Sequence, residues 1–285
     1  MGDILEVKDL SKRYDDFELK NISFNLPKGM IMGLIGENGA GKTTTIKAIL
    51  DIIKDYKGNI KIFGLSNRKD DKRIKEDIGV VLDDMFFPEI LTPTDINSVM
   101  KDTFKNWDSD LYFKYLNDFS LPKSKQVKTF SRGMRKKLEI AVAISHHPKL
   151  LILDEPTSGL DPIARNEVID IFQDFIQNEE CSILISSHIT TDLEHIADYI
   201  TFINKGEILL SKTKDELLDN YGIVKCTEKE FKNFDNKDYI RYKKNKYDYE
   251  VLVENKKEFN KIYKVSTIDK VTLEDLMVLM IKGVE

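Results

Sequence analysis

The chain has 285 residues, 41% of them hydrophobic and 33% charged, with a net charge of −5. That length and apolar content provide for a large buried core, either as one domain with an appendage or as two domains. The negative balance argues against a general nucleic-acid coat, and the charged residues are those of a well-solvated surface.

In chain order, the opening MGDILEVKDL meets charge at once, unlike a signal peptide, and Glu6 stands where a myristoylation motif wants Ser or Thr. Residues 4–35 read as short strands around a Lys- and Asp-rich turn, ending in the apolar run MIMGLIG. GENGAGKTT (36–44) then fits the pattern G-x-x-x-x-G-K-[ST], between that strand and a helix expected over 43–53. Gly36, Gly39 and Gly41 let the backbone curl so that amides across Glu37, Asn38, Ala40 and Thr44 face one point. Together with the helix N-terminus they form a phosphate cradle. Lys42 is placed to reach β- and γ-phosphates, and the Thr43 hydroxyl to hold Mg²⁺.

YKGNIKIFG gives a turn and a strand, and IGVVL a further strand that ends near Asp83 and Asp84. Residues 94–119 carry a helical pattern, with Thr94 as the expected cap and Asp108 opening a second helix. FSRGMRKKLEI (130–140) reads as Ser131 capping a helix whose first turns hold Arg132, Arg135, Lys136 and Lys137. A helix start already carries about half a positive charge. At least part of this cluster is expected to be balanced by an anion from outside the chain, with Lys136 and Lys137 simply solvated.

LLILDEP buries a strand and releases two carboxylates at its end. Asp154 is placed to hold Mg²⁺ opposite Thr43, and Glu155 to accept a proton from a water attacking the γ-phosphate. The four-residue run LLIL has strand length, far short of the roughly 20 residues of a membrane helix. A helix is expected over 163–177, and CSILISSH leads into another over 190–198. Parallel strands present their carboxyl ends together, so His188 should arrive at the edge that carries Asp154. YITFINKGEILL reads as a hairpin turning at Lys205-Gly206. Apolar strands alternating with helices predict an α/β fold with a mainly parallel sheet covered on both faces.

After Tyr221 the composition turns rich in Lys, Asp, Asn and Tyr, with YDYEVLV as a half-exposed strand and VTLEDLMVLMIKG as a capped helix ending before Gly283. The expected division is a domain over 1–220, with a helical part over about 88–148, and a small α+β appendage over 221–285. Cys181 and Cys226 are far apart and form no metal-spaced cluster, as expected of free thiols in a reducing cytosol.

With these motifs in order, the chain over about 1–215 resembles the ATP-binding subunit of an ABC transporter. GENGAGKTT matches the Walker A loop, FSRGM the signature usually written LSGGQ, LLILDEP Walker B, SGLD (158–161) the D-loop, and His188 the switch histidine. The resemblance implies a P-loop NTPase of ABC type with an N-terminal antiparallel β-subdomain and an inserted α-helical subdomain. It implies that Tyr14 stacks on adenine and that two subunits sandwich two ATP-Mg²⁺. Ser131 and Gly133 would then meet the partner's ATP, and Asp161 would lie at the dimer contact. Partners would be a second ATP-binding subunit and an integral membrane permease, with no nucleic acid, placing the chain in the cytoplasm on the inner membrane face. FSRGM is similar to the YSKGM form of drug-, bacteriocin- and lipid-export members. A soluble single-cassette ATPase acting as a scaffold is the alternative; a phosphate-loop kinase leaves 130–137 unexplained.

Two departures stand out. Asp83 occupies the position of the family's Mg²⁺-touching glutamine, where it either ligates the metal or belongs to a solvated Asp-Asp turn. Arg132 replaces a small residue. DDMFFPEI (83–90) offers Phe86 and Phe87 either to a membrane subunit or to the core.

Overall fold

Three sheets organise the chain in the computed structural model, which describes residues 2–83, 87–265 and 267–284, apart from the side chain of Asp71. The central sheet is built from β3 (Ile31–Ile35), β6 (Ile78–Val81), β7 (Leu150–Asp154), β8 (Ser182–Ser187), β9 (Tyr199–Asn204) and β10 (Glu207–Thr213). Their order is β10-β9-β3-β8-β7-β6, parallel throughout except for β10, which returns antiparallel to β9 through the turn at Lys205 and Gly206. β3, β7 and β8 are buried along their whole length, which is why they read as continuous apolar runs. Alternate residues enter opposite layers: Leu151, Leu153, Ile183 and Ile185 on one side, Leu150, Ile152 and Leu184 on the other.

The second layer is closed by α1 (Lys42–Ile49), α2 (Asp71–Glu76) and an antiparallel sheet, β2-β1-β4-β5. Its strands are β1 (Asp3–Arg13), β2 (Glu18–Pro27), β4 (Lys57–Ile62) and β5 (Leu65–Ser66). The first layer receives α3 (Pro93–Thr103), α4 (Ser109–Asp118), α5 (Arg132–Ile144), α6 (Pro162–Ile176) and α7 (Thr190–Ile196), through residues such as Ile96, Tyr112, Leu138, Phe172 and Leu193.

Several expected boundaries move for local reasons. α1 ends at Ile49 rather than near Ile53, because Asp51 takes a left-handed conformation (φ 52°) that closes the last turn. The cap of α3 is Thr92, not Thr94: Pro93 sits at the first helical position, and Thr92 and Asp95 exchange the two bonds of a capping box. Asp108 caps α4 as expected, accepting from Leu111 N.

After α8 (Lys214–Asn220) the chain builds a third sheet, β12-β13-β11-β14. It comprises β11 (Gly222–Cys226), β12 (Arg241–Lys244), β13 (Tyr249–Val253) and β14 (Ile268–Lys270), with α9 (Glu228–Phe231), α10 (Lys256–Tyr263) and α11 (Leu273–Lys282) around it. One face holds Val224, Val251, Phe259 and an aromatic cluster around Phe231. The other face places Ile223 and Leu252 in the main core together with Leu276 and Leu279 of α11. β13 is therefore buried on both faces, which corrects its reading as a half-exposed strand. Gly283 follows α11 with φ −70°, so it closes no left-handed turn. Cys181 and Cys226 are buried free thiols, and burial pushes the Cys226 thiol up to about 11.

Candidate active site

The carboxyl ends of β3, β7 and β8 meet at one edge, and the loops leaving them carry the reactive groups. Gly36 follows β3 where a Cβ would lie 2.3 Å from the Ile203 carbonyl oxygen, so only glycine fits. Gly41, at φ 117°, opens α1 without any side-chain cap, and no acidic residue stands in the first turn. The leading amides of α1 are thus left for an anion. Glu37, Asn38, Gly39 and Thr43 are exposed, Thr44 is half-buried, and Ala40 and Lys42 are buried. The Lys42 ammonium donates to the carbonyls of Gly36 (2.8 Å) and Glu37 (3.3 Å) and lies 3.3 Å from Glu155 Oε1.

Thr43 Oγ1 donates to Asp154 Oδ2 at 2.8 Å, and Asp154 Oδ1 accepts from Ser186 Oγ at 2.5 Å. Asp154 is wholly buried. Glu155 holds the left-handed conformation (φ 50°), unusual for a non-glycine residue, with its N–H given to Ser186. That kink sends its carboxylate back over the sheet edge, where Oε2 lies 2.7 Å from His188 Nδ1. Since a carboxylate only accepts, the imidazole proton of this contact resides on Nδ1. The sheet therefore brings together Lys42, Thr43, Asp154, Glu155 and His188, as the sequence predicted.

A hydroxyl and a carboxylate joined by one hydrogen bond are a hard-oxygen pair suited to Mg²⁺. Among the described residues no group of three or more Asp, Glu, His or Cys could hold a metal. A metal here would draw its remaining ligands from phosphate and water, in the usual manner of Mg²⁺.

The outlying residues are placed as follows. Tyr14, 41% exposed, sits on the β1–β2 turn with the Lys12 ammonium 5.1 Å from its ring centroid. Phe17 on the same turn reaches the phosphate loop itself: a Cβ on Gly41 would meet its ring at 3.0 Å. Ser131 caps α5, accepting from Met134 N at 3.2 Å, and is exposed. A Cβ on Gly133 would lie 3.3 Å from Leu160 of the D-loop. Asp161 caps α6, and the amides of Ala164 and Ile163 hold its carboxyl below the usual range. Among the described residues no hydrogen bond joins Ser131 or Gly133 to the 36–44 loop.

The basic cluster on α5 is balanced within the chain, contrary to the expectation of an external anion. Arg132 pairs with Asp83 at 3.3 Å, Arg135 with Glu89 at 3.0 Å, Lys136 with Glu139 at 3.0 Å, and Lys137 with Glu167 at 2.6 Å. Lys136 is buried, not solvated, and also donates to the Leu82 carbonyl at 2.7 Å. Asp83, offered either as a metal ligand or as part of a solvated turn, faces Arg132 here rather than the Thr43–Asp154 pair. Phe87 packs against the core, while Asp84 and Phe86 lie outside the described residues. Ser186 and Phe17 escaped the sequence reading. The consecutive serines before His188, at the end of a buried strand, were the available signal for Ser186.

A parallel sheet whose carboxyl edge joins a glycine-rich phosphate loop, a Thr–Asp pair, a buried lysine and a Glu–His pair defines a phosphate-loop nucleoside triphosphatase. The sequence profile of the ABC transporter family matches residues 19–158. The lantibiotic transport ATP-binding protein SrtF of Streptococcus pyogenes is 37% identical over 215 residues, covering 74% of this chain and 92% of that protein. The bacitracin transport ATP-binding protein BcrA of Bacillus licheniformis is 36% identical over 213 residues, covering 73% of this chain and 69% of the other. A solved ATP-binding subunit of an ABC transporter superposes with a TM-score of 0.69 at 28% identity, over 76% of this chain and 92% of the other. The chain belongs to the ABC transporter family as an ATP-binding subunit, and its activity is that of an ATPase coupled to transport.

Proposed function

We propose that two ATP-binding subunits of this kind close around two ATP-Mg²⁺ and drive export through separate membrane subunits. The observation that carries the dimer is the start of α5. Ser131 is exposed and makes no hydrogen bond to the chain's own phosphate loop among the described residues. Its cap reaches only the Met134 amide, so the first amides of α5 suit an anion even though the nearby cations already have partners. A second subunit supplies the missing phosphate, and Asp161 lies in the loop beside that helix start. The partner subunit can be identical, since one chain holds both the phosphate loop and the signature helix. The relatives named for lantibiotic and bacitracin transport support export of a peptide-antibiotic class of cargo.

Within each half-site the phosphates lie on the amides of Gly36–Thr44, with adenine on Tyr14. Lys42 exchanges its carbonyl partners for β- and γ-oxygens. Thr43 and Asp154 would hold Mg²⁺, which when bound neutralises charge on the β- and γ-phosphates. Glu155 accepts a proton from the attacking water as the oxygen bonds to the γ-phosphorus and ADP departs. His188 fixes the Glu155 carboxylate for that proton transfer through its Nδ1–H.

Among the described residues no helix is long and apolar enough to cross a membrane, so attachment to the inner membrane face falls to the partner. In this reading residues 1–220 carry the whole ATP-binding role and 221–285 form an accessory unit. Purification of the tagged chain from detergent-solubilised membranes should recover a multi-span hydrophobic protein in stoichiometric amount. Recovery of the chain alone, with full ATPase activity, would instead favour a soluble scaffold ATPase.

A further inference from the structure

Beyond the last backbone pairing of β7 with β8, Asp154 opposite Ser186, the two departing segments stay connected by side chains. Ser186 Oγ donates to Asp154, and His188 Nδ1 meets Glu155. One step further, Thr157 Oγ1 donates to Asp192 Oδ2 at 2.7 Å, with both residues buried. Asp192 belongs to α7, which starts two residues after His188, while Thr157 lies two residues after Glu155. The second carboxylate oxygen of Asp192 faces Arg165 Nη1 of α6 at 3.8 Å. At 3% exposure this carboxylate has lost most of its water, and the Thr157 hydrogen bond on one oxygen and the Arg165 charge near the other offset that cost.

We infer that Asp192 is a positioning residue for ATP hydrolysis, clasping the loop after β7 and helix α6 to α7 so that Glu155 and His188 are held in register. The clasp acts at a distance from the nucleotide. It closes a ring whose near side is the 2.7 Å Glu155–His188 contact and whose far side is the 2.7 Å Thr157–Asp192 contact. Glu155 sits in a left-handed conformation that its own side chain does not favour, so the loop needs an outside anchor to keep it there. Releasing the far side lets the near side widen, and displacements of about 1 Å in a catalytic group cost up to about 100-fold in rate. ATP binding, which depends on the 36–44 loop and Tyr14, is left untouched.

The inference rests on the proposed roles of Glu155 and His188, and the test keeps the two apart. Thr157→Val preserves shape and removes the donor; Thr157→Ser restores the donor. Single-turnover hydrolysis and the affinity for a fluorescent ATP analogue are measured on the full chain, with a thermal midpoint for each variant. The expected result is a loss of about 10-fold or more in hydrolysis rate for Thr157→Val, ATP affinity within about 2-fold, and recovery to within about 2-fold of wild type in Thr157→Ser. Asp192→Asn, which keeps an acceptor for Thr157 but loses the attraction to Arg165, should also slow hydrolysis without weakening ATP binding. Wild-type hydrolysis in Thr157→Val, or a parallel loss of rate and ATP affinity, overturns the clasp. If Asp192→Asn does not fold, the Thr157 pair decides alone. Glu155→Gln is run beside them: an active Glu155→Gln overturns the general-base reading. An active Thr157→Val beside an inactive Glu155→Gln overturns only the clasp.

Discussion

Arg132 and Asp83, two residues at which the chain departs from the motifs it resembles, are bonded to each other at 3.3 Å. Both side chains are more than half exposed, so the pair contributes at most about 1 kcal/mol. Lys136, one turn further along α5, is the opposite case: its side chain is 4% exposed, with Glu139 and the Leu82 carbonyl as partners. Removing the cation from a buried pair costs about 3–5 kcal/mol. Urea unfolding should therefore separate the two, with Asp83→Asn within about 1 kcal/mol of wild type and Lys136→Met lower by about 3 kcal/mol. A third residue contributes to the response to acid. His146 is buried, stacks on Phe104 with ring centroids 4.1 Å apart, and has Nε2 3.0 Å from the Ile78 carbonyl. Burial holds its imidazole below the usual histidine range, with the Ile78 contact working the other way. The unfolded chain then takes up a proton that the fold resists. The contribution is complete above about pH 6.5 and is lost as pH falls from there through the folded value. Urea midpoints between pH 7 and 5 should fall less in His146→Gln than in wild type.

At the scale of elements, α5 shows what a sequence conveys and what it conceals. Its cap at Ser131 was legible because capping is local: a serine before an amphipathic run. The balance of its cations was not, because Asp83, Glu89 and Glu167 lie far away in sequence and are delivered by the segment after β6 and by α6. The phosphate loop, Asp154 and Glu155 were legible for the same local reason, and His188 because parallel strands end together. Neither the left-handed turn at Glu155 nor the burial of Lys136 leaves a periodic trace. The N-terminus of α3 was misread although its signals, Pro93 and Asp95 after Thr92, were present; Thr94 competed for the same role. The start of α5 also carries a prediction. Ser131→Arg removes a cap worth about 1 kcal/mol and puts bulk and charge where a partner's phosphate would lie. The variant should bind ATP as a monomer with near wild-type affinity, yet show no dimerisation and no turnover. Retained turnover would remove α5 from the catalytic unit.

At the scale of the whole molecule, the third sheet is fastened to the ATPase core beside α7. Leu273 N donates to Glu194 Oε1 at 2.6 Å, Lys256 donates to the Leu218 carbonyl at 3.0 Å, and Leu273, Leu276, Leu279 and Met280 enter the main core. Lys212 and Glu254 add an ion pair that raises the lysine pKa and lowers that of the carboxylate. The helix that leaves His188 is thus packed between the central sheet and α11, so the accessory residues bear on the same element as the catalytic edge. In the proposed cycle ATP joins two subunits and Glu155 ends their union, and one measurement addresses both halves most directly. Glu155→Gln is incubated with Mg²⁺-ATP, and its mass is determined by light scattering while phosphate release is followed. The expected result is no phosphate release and a stable particle of twice the 33.0 kDa chain mass. Phosphate release near the wild-type rate, or a particle that stays monomeric with ATP bound, would contradict it.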